Sequence, residues 1–520
     1  MLGFIGVALV IRLHGLSSAN LWLDEANSWQ LASGPWHEMV RELRGSPVGP
    51  LYFVLLKLWI FAAGESVFAM RAFSVATSLV LIPVTYELGA TLLSRRVGLI
   101  AAALVALSPL ELYFAQEARM YMLTALAAAL CLWSYTLWRS AAANAMESDT
   151  RVNGWPLVRY AIAAIALLLT NPIGGPLLAA LNLDALIVWW RTRARAGIAL
   201  PERRRLTLSW IGAQIAVVAA LALYLAWLHL DSAASSQAWR TPLGLERALR
   251  EALMLPFDTI AGQRFYPGDF AGAFGQLWHS HSGLGRFAIT LIVQPLTLIV
   301  FVLAGDAAIR QRWSSRYAAE SLPALASGRR LLLLALVTPL AVCVVISISR
   351  GLEPPRYFFY VVPFFLLLLA DGVLSLSPRA RIASLVVLLA AMTFGTRATK
   401  AAITRDSDYR ATAQLIEHES SPGDRIMIQP REMGSPLRFY LHARETPIIG
   451  LAADAKAGDE LATLAPGRTW VVMDYRSPLY TLAPAELATA LRSPLERDAY
   501  TADVSNGVRV ALVDTRAPTK

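Results

Sequence analysis

"PLYFVLLKLWIFAAG", residues 50–64, is the stretch on which the topology of the chain turns. It is apolar apart from Lys57. As a helix it would reach about 22 Å, short of the roughly 30 Å hydrocarbon core of a bilayer. If it spans, every later loop changes side. Arginine placement decides the matter. With 50–64 lying flat and the N-terminus cytoplasmic, "SRR" (94–96), the loop 139–159, "RTRARAGIALPERRR" (191–205), the loop 306–330 with its five arginines, and "SPRAR" (377–381) all fall inside. Each of these loops then obeys the positive-inside rule. We therefore read 50–64 as an interfacial helix on the outer face, with its tryptophan and tyrosine at headgroup level.

Composition agrees with a membrane protein. The 520 residues are 56% hydrophobic and 16% charged, against about 25% charged in soluble domains. Mean hydropathy is +0.48. The net charge of +10 is mostly arginine between apolar runs, which marks topology rather than nucleic-acid binding. Cys131 and Cys343 both sit in apolar runs, so neither a disulfide nor a thiolate metal site is expected. The opening "MLGFIGVALVIRLHG" lacks a basic leader and a small-residue cleavage motif, and reads as a short first span.

Runs at 1–13, 72–93, 97–113, 120–138, 159–171, 173–190, 206–230, 286–305, 331–349, 356–376 and 382–396 predict about eleven spans. The chain thus reads as a polytopic α-helical membrane domain, 1–397, followed by a soluble α/β domain, 398–520. In the latter, "DYRATAQLIEHES" has a helical pattern, "DRIMIQP" is strand-like, and "PLRFYLH", "TPIIGLA", "TWVVMDY", "PAELATALRS" and "RVALVDT" continue the alternation. No glycine-rich phosphate loop follows these strands. The parity of spans puts this domain outside, together with the loops near 21–30, 108–121, 170–175, 231–285 and 349–357.

Those outer loops carry the unusual polar residues. "LWLDEANSWQ" (21–30) sets Asp24 and Glu25 just beyond the first span. They serve either as interfacial helix-start acids or as a general base that takes a proton from an attacking hydroxyl. "AQEARMY" places Gln116, Glu117 and Arg119 at the entry of a later span, as an anchoring ion pair or as a second site carboxylate with a cation. Arg356 opens "RYFFYVVPFFLLLLA" and either snorkels to the interface or binds a phosphate; Arg350 is a weaker partner. Lys57 has the same two readings, lipid headgroup or donor phosphate.

The order "WLDEA", "SPVGPLYFVLLKLW", "SRRVGLIAAALVALSPLELYFAQEARMYML", "PPRYFFYVVPF" resembles the GT-C glycosyltransferases. It is most similar to the bacterial branch related to protein O-mannosyltransferases and aminoarabinose transferases, the family 39/83-like enzymes. The likeness is carried by residues 1–140 and, through a short motif, 350–376; between them only the pattern of spans matches. It implies external juxtamembrane helices, a catalytic role for Asp24 with Glu25 in support, and a site role for Glu117. Two departures stand out. Gly45 and Ser46 precede Pro47 where many relatives have a histidine or an acid, and Asn171 stands where histidine is frequent. Both remove potential ligands, so no cofactor is expected and a bound divalent metal is disfavoured.

The resemblance implies a sugar donor carried on polyprenyl phosphate and an acceptor hydroxyl on protein, lipid or glycan, in a bacterial inner membrane with the site facing outward. Asp24 would deprotonate the acceptor, attack would invert the anomeric carbon, and Arg119, Arg356 and Lys57 would hold the phosphate. Two other readings use the same residues. A transporter would be expected to carry repeated halves and mid-membrane polar residues, whereas these cluster toward one face. A lipid-linked glycan polymerase or ligase shares the motifs and stays open.

Overall fold

The computed structural model describes residues 1–45, 48–148, 153–193, 200–228, 244–261, 298–306, 322–350, 354–402, 408–441, 446–452, 467–474, 500–504 and 508–514. The chain divides into two compact units that interleave in sequence. One comprises Met1–His14, Trp36–Trp59 and Arg71–Ala402; the other comprises Gly15–Pro35, Ile60–Met70 and Ile403–Lys520. Contacts therefore do not part along a single boundary near residue 398. Two short N-terminal segments group with the C-terminal part.

The first unit is helical. Its elements are α1 (Leu2–Leu13), α3 (Trp36–Arg44), most of α4 (Pro50–Ala63) and of α5 (Val67–Leu92), α6 (Arg95–Leu107), α7 (Pro109–Ala115), α8 (Tyr121–Ser148), α9 (Trp155–Thr170), α10 (Gly175–Arg193), α11 (Leu200–Trp227), α12 (Gly244–Ala261), α13 (Leu322–Arg350), α14 (Pro354–Phe358), α15 (Val362–Leu374) and α16 (Pro378–Ala402). α2 (Leu23–Ser33) lies in the second unit. Among the described residues seven helices are long and apolar enough to cross a bilayer: Val67–Leu92, Tyr121–Ala142, Pro172–Trp190, Arg204–Trp227, Gly328–Ile348, Arg356–Leu374 and Pro378–Arg397. This is a multi-pass membrane protein. The other four predicted spans differ. Leu2–Leu13 and Trp155–Thr170 are short, α6 and α7 form one run bent by 57°, and most of 286–305 lies outside the described residues. The 14-residue α4 is also shorter than a full crossing.

The bend between α6 and α7 has a local cause. Pro109 offers no N–H to the Val105 carbonyl four residues back, so the helix cannot run on. Ser108 ends α6 and caps α7, accepting from the Glu111 amide at 3.4 Å. The stranded carbonyls find another donor. Arg12 is fully buried, and its guanidinium donates to Val105 O at 3.1 Å and Ala106 O at 2.9 Å. A buried arginine is thus supported by the carbonyls that a proline released.

Packing elsewhere uses small residues and a buried charge network around Asp184. α5 and α6 approach so closely that a Cβ on Gly98 would lie 2.4 Å from Tyr86 O. α8 packs along α9, α10 along α13, and α6 along α15. Asp184 on α10 is fully buried. It accepts from Tyr135 Oη at 2.8 Å and Arg139 Nη1 at 2.9 Å on α8, and from Arg330 Nη2 at 2.8 Å on α13. Three helices are tied through one carboxylate.

In the second unit, α17 (Tyr409–Glu419) and α18 (Gly434–Tyr440) pack with a mixed sheet of order β2-β1-β3-β5-β4. Its strands are β1 (Arg425–Gln429), β2 (Ile448–Gly450), β3 (Arg468–Asp474), β4 (Tyr500–Val504) and β5 (Val508–Asp514). β1 runs parallel to β2 and β3, and β5 runs antiparallel to β3 and β4. Ile426, Ile428, Trp470 and Val472 face Tyr409, Ile416 and Leu437 in its core. "PLRFY" is helical within α18. "PAELATALRS" lies outside the described residues.

Candidate functional site

The polar residues singled out by the sequence fall in both units, and each set is built locally. In the first unit the segment after α7 turns sharply into α8. The Arg119 amide donates to Glu117 O at 2.8 Å, and Ser74 Oγ on α5 donates to the same carbonyl at 2.6 Å. Gln116 Nε2 reaches back to Arg12 O at 2.7 Å and His14 O at 3.1 Å, fixing the turn against the end of α1. Glu117 is fully buried and Arg119 half-buried. Tyr52 on α4 is fully buried within their electrostatic reach. Burial pushes its phenol well above the ordinary tyrosine range, Arg119 opposes the shift, and Glu117 and Tyr121 add to it. The hydroxyl therefore stays a neutral donor at physiological pH.

Two further segments of this unit join the same neighbourhood. Phe359, three residues beyond Arg356, packs on Phe114 of α7 with ring centroids 4.5 Å apart. Tyr360 Oη donates to Ile173 O at 2.9 Å, so "PPRYFFY" also meets the "TNPIGG" turn. Gly49 closes the group. A Cβ there would lie 2.2 Å from Leu169 O, so the chain at Gly49 crosses the end of α9 backbone to backbone. The arginine-led span, the Glu117 turn, the Asn171 turn and the α4 entry are thereby joined. Arg356 is half-buried at the head of its span. Asn171 Oδ1 accepts from the Ile173 amide at 3.2 Å, capping the turn.

Lys57 stands beside α3. Its ammonium lies 5.1 Å from the centroid of the Trp36 ring on α3. Trp36 in turn lines an almost wholly apolar cavity of about 330 Å³, together with Leu43, Val54, Leu169, Tyr224 and Trp227. Arg44 Nε donates to Trp227 O at 3.2 Å beside it.

In the second unit Asp24 and Glu25 occupy the first turn of α2, where the helix dipole favours negative charge. Glu25 is fully buried and Asp24 half-buried. The Asp24 carbonyl accepts from Ser28 Oγ at 2.9 Å. Trp29 Nε1 donates to Glu65 Oε2 at 2.7 Å, which links α2 to the segment before α5. No group of three or more His, Cys, Asp or Glu side chains arranged to hold a metal occurs among the described residues.

Tyr52, Ser74 and Arg12 escape a reading by sequence. A tyrosine and a serine are ordinary in apolar helices. Arg12, within "ALVIRLHG", carried a signal: a charge inside a run that should hold none.

No protein-family model matches the chain, and no curated protein matches it. Solved structures do. ArnT from Cupriavidus metallidurans bound to undecaprenyl phosphate aligns with a TM-score of 0.57 at 15% identity, over 98% of this chain and 97% of its own. The Archaeoglobus fulgidus oligosaccharyltransferase in the apo form aligns with a TM-score of 0.52 at 12% identity, over 96% and 73%. The archaeal oligosaccharyltransferase AglB from the same organism, in complex with an inhibitory peptide and a dolichol-phosphate, aligns with a TM-score of 0.50 at 13% identity, over 100% and 75%. The chain has the fold of the GT-C membrane glycosyltransferases.

Proposed function

We propose that the protein transfers a sugar from a polyprenyl-phosphate carrier to an acceptor hydroxyl, at the extracytoplasmic face of a bacterial inner membrane. The observation that carries this reading is the fold, which follows over nearly its whole length a structure bound to undecaprenyl phosphate. The chain's own chemistry supports it. The cavity lined by Trp36 is apolar and suits an isoprenoid tail, and Lys57, beside the Trp36 ring, would serve as a cation for a headgroup phosphate.

In this reading Asp24 accepts the proton of the acceptor hydroxyl as its oxygen attacks the anomeric carbon. The bond from that carbon to the phosphate oxygen breaks, and the electron pair leaves with the phosphate. Attack from the side opposite the leaving group inverts the configuration. The departing phosphate is a weak base, so it needs positive charge more than a proton. Arg119, Arg356 and Lys57 provide that charge. Glu25 supports Asp24, and Glu117 orients Arg119 or the acceptor.

The test is incubation of the purified protein with a panel of undecaprenyl-phosphate sugars, with mass-spectrometric detection of released lipid phosphate and of the product anomer. Release with inversion supports the proposal; retention of configuration, or substrate passage into vesicles with no release, overturns it. Asp24→Asn should keep expression and lower turnover at least about a hundredfold. An active Asp24→Asn enzyme removes that residue from the role.

A further inference from the structure

Several anchors of α2 come from the C-terminal part of the second unit. Immediately before the helix, the Leu21 amide donates to Tyr440 Oη at 2.8 Å. Asn20 Nδ2 donates to Asp408 Oδ1 at 3.0 Å, and the same oxygen caps α17 by accepting from the Ala411 amide at 3.0 Å. Along the helix, Trp29 meets Phe439 edge to face at 5.1 Å, and Phe439 meets Tyr440 in the same manner at 4.9 Å. Near its end, Ser435 Oγ donates to Gln30 Oε1 at 2.6 Å. Leu23, one residue before Asp24, packs on the core that Ile426, Ile428 and Trp470 build. Arg410 lies 5.4 Å from the Tyr440 ring centroid.

These contacts bracket Asp24 and Glu25 from both directions. The helix N-terminus has Trp22 as its cap, and just upstream Leu21 and Asn20 are held by Tyr440 and Asp408. A carboxylate that must meet a hydroxyl within hydrogen-bond reach depends on such placement, because an error near 1 Å can cost about a hundredfold in rate.

We propose that the C-terminal α/β part is a positioning device for the catalytic carboxylate: Tyr440 and Phe439 on α18 fix the pitch of α2 and so aim Asp24. This rests on the role given to Asp24 above. Tyr440 and Phe439 act as positioning residues.

The experiment uses the full-length detergent-purified chain, as Tyr440→Phe and Phe439→Ala. Two readouts are taken. The first is amide hydrogen exchange over residues 21–33 and, as reference, over the strands 425–429 and 468–474. The second is turnover of the undecaprenyl-phosphate sugar that the panel identifies. We expect exchange over 21–33 to quicken about tenfold with the strands unchanged, and kcat to fall about tenfold at constant KM for the donor. Unchanged exchange over 21–33, loosening of the strands together with it, or a wild-type kcat overturns the proposal. If Asp24→Asn is active, the role of Asp24 fails first, while the exchange readout still reports whether α18 holds α2.

Discussion

Arg12 and Asp184 show how single charges are accommodated inside the helical unit. Arg12 donates to two carbonyls at the end of α6, that of Val105, which Pro109 leaves without its N–H, and that of Ala106 beside it. Arg12→Leu should strand both, at about 1–3 kcal/mol each, and lower the thermal midpoint in detergent. Asp184 works in the opposite sense: it is the counter-charge to Arg139 and Arg330. Asp184→Asn keeps the shape and leaves two arginines facing each other, a loss of about 3–5 kcal/mol measurable as a lowered midpoint. Arg139→Lys should cost less, since one lysine still faces the carboxylate. The acids and arginines at the ends of apolar runs were visible in the sequence, because a charge stands out against hydrocarbon. The partners that hold them were not, since backbone carbonyls carry no residue signature. Tyr52 is hidden for the same reason: its importance lies in what surrounds it.

At the level of elements, the α6–α7 bend sets where Glu117 and Arg119 lie. Pro109→Ala restores an N–H to compete with Arg12 for the Val105 carbonyl and lets α6 extend. We expect normal expression and about a tenfold fall in lipid-phosphate release, because the turn after Ala115 is carried off its place. Unaltered release would show that the bend is incidental to activity. Gly49→Ala acts on the same neighbourhood from the other side, since its Cβ would collide with the α9 backbone. A loss of folded protein on size-exclusion chromatography is the expected result. Hydropathy alone reads 97–113 as one straight run, because both halves are equally apolar. The "SP" pair at 108–109 held the break signal, and a count of apolar residues passes over it. The seven long spans were legible, as length and apolarity suffice to define them. The α/β alternation of the tail was legible too, with "PLRFY" falling in α18, but β4 (Tyr500–Val504) was not, since "YTADV" has too little apolar alternation to stand out.

For the molecule as a whole, the interleaving of its two units matters most. A boundary drawn near residue 398 follows composition, which changes there abruptly. Contacts obey a different division: residues 15–35 and 60–70 group with the C-terminal part, the first through Asp408, Ser435 and Tyr440, and the second meets the first through Glu65 and Trp29. No local pattern could announce this, as the pairing joins segments hundreds of residues apart. A chain ending at Ala402 should therefore lose more than a soluble appendage. Without Ser435, Phe439 and Tyr440, the segment 15–35 should become a site of cleavage in limited proteolysis, while the span 328–348 stays protected. Lipid-phosphate release should vanish along with it. A truncated chain that resists cleavage at 15–35 would mean that the helical unit alone suffices to order this segment.

The bond from Leu21 to Tyr440 closes over 419 residues. A ribosome adding about 5–20 residues per second makes its two ends roughly 20–80 s apart. During that interval the early acids have been synthesised but their clamp has not, so the nascent protein waits in the bilayer uncocked. Only once translation has passed Tyr440 can this bond close, which, on the role proposed for Asp24, postpones activity until the C-terminal part is made.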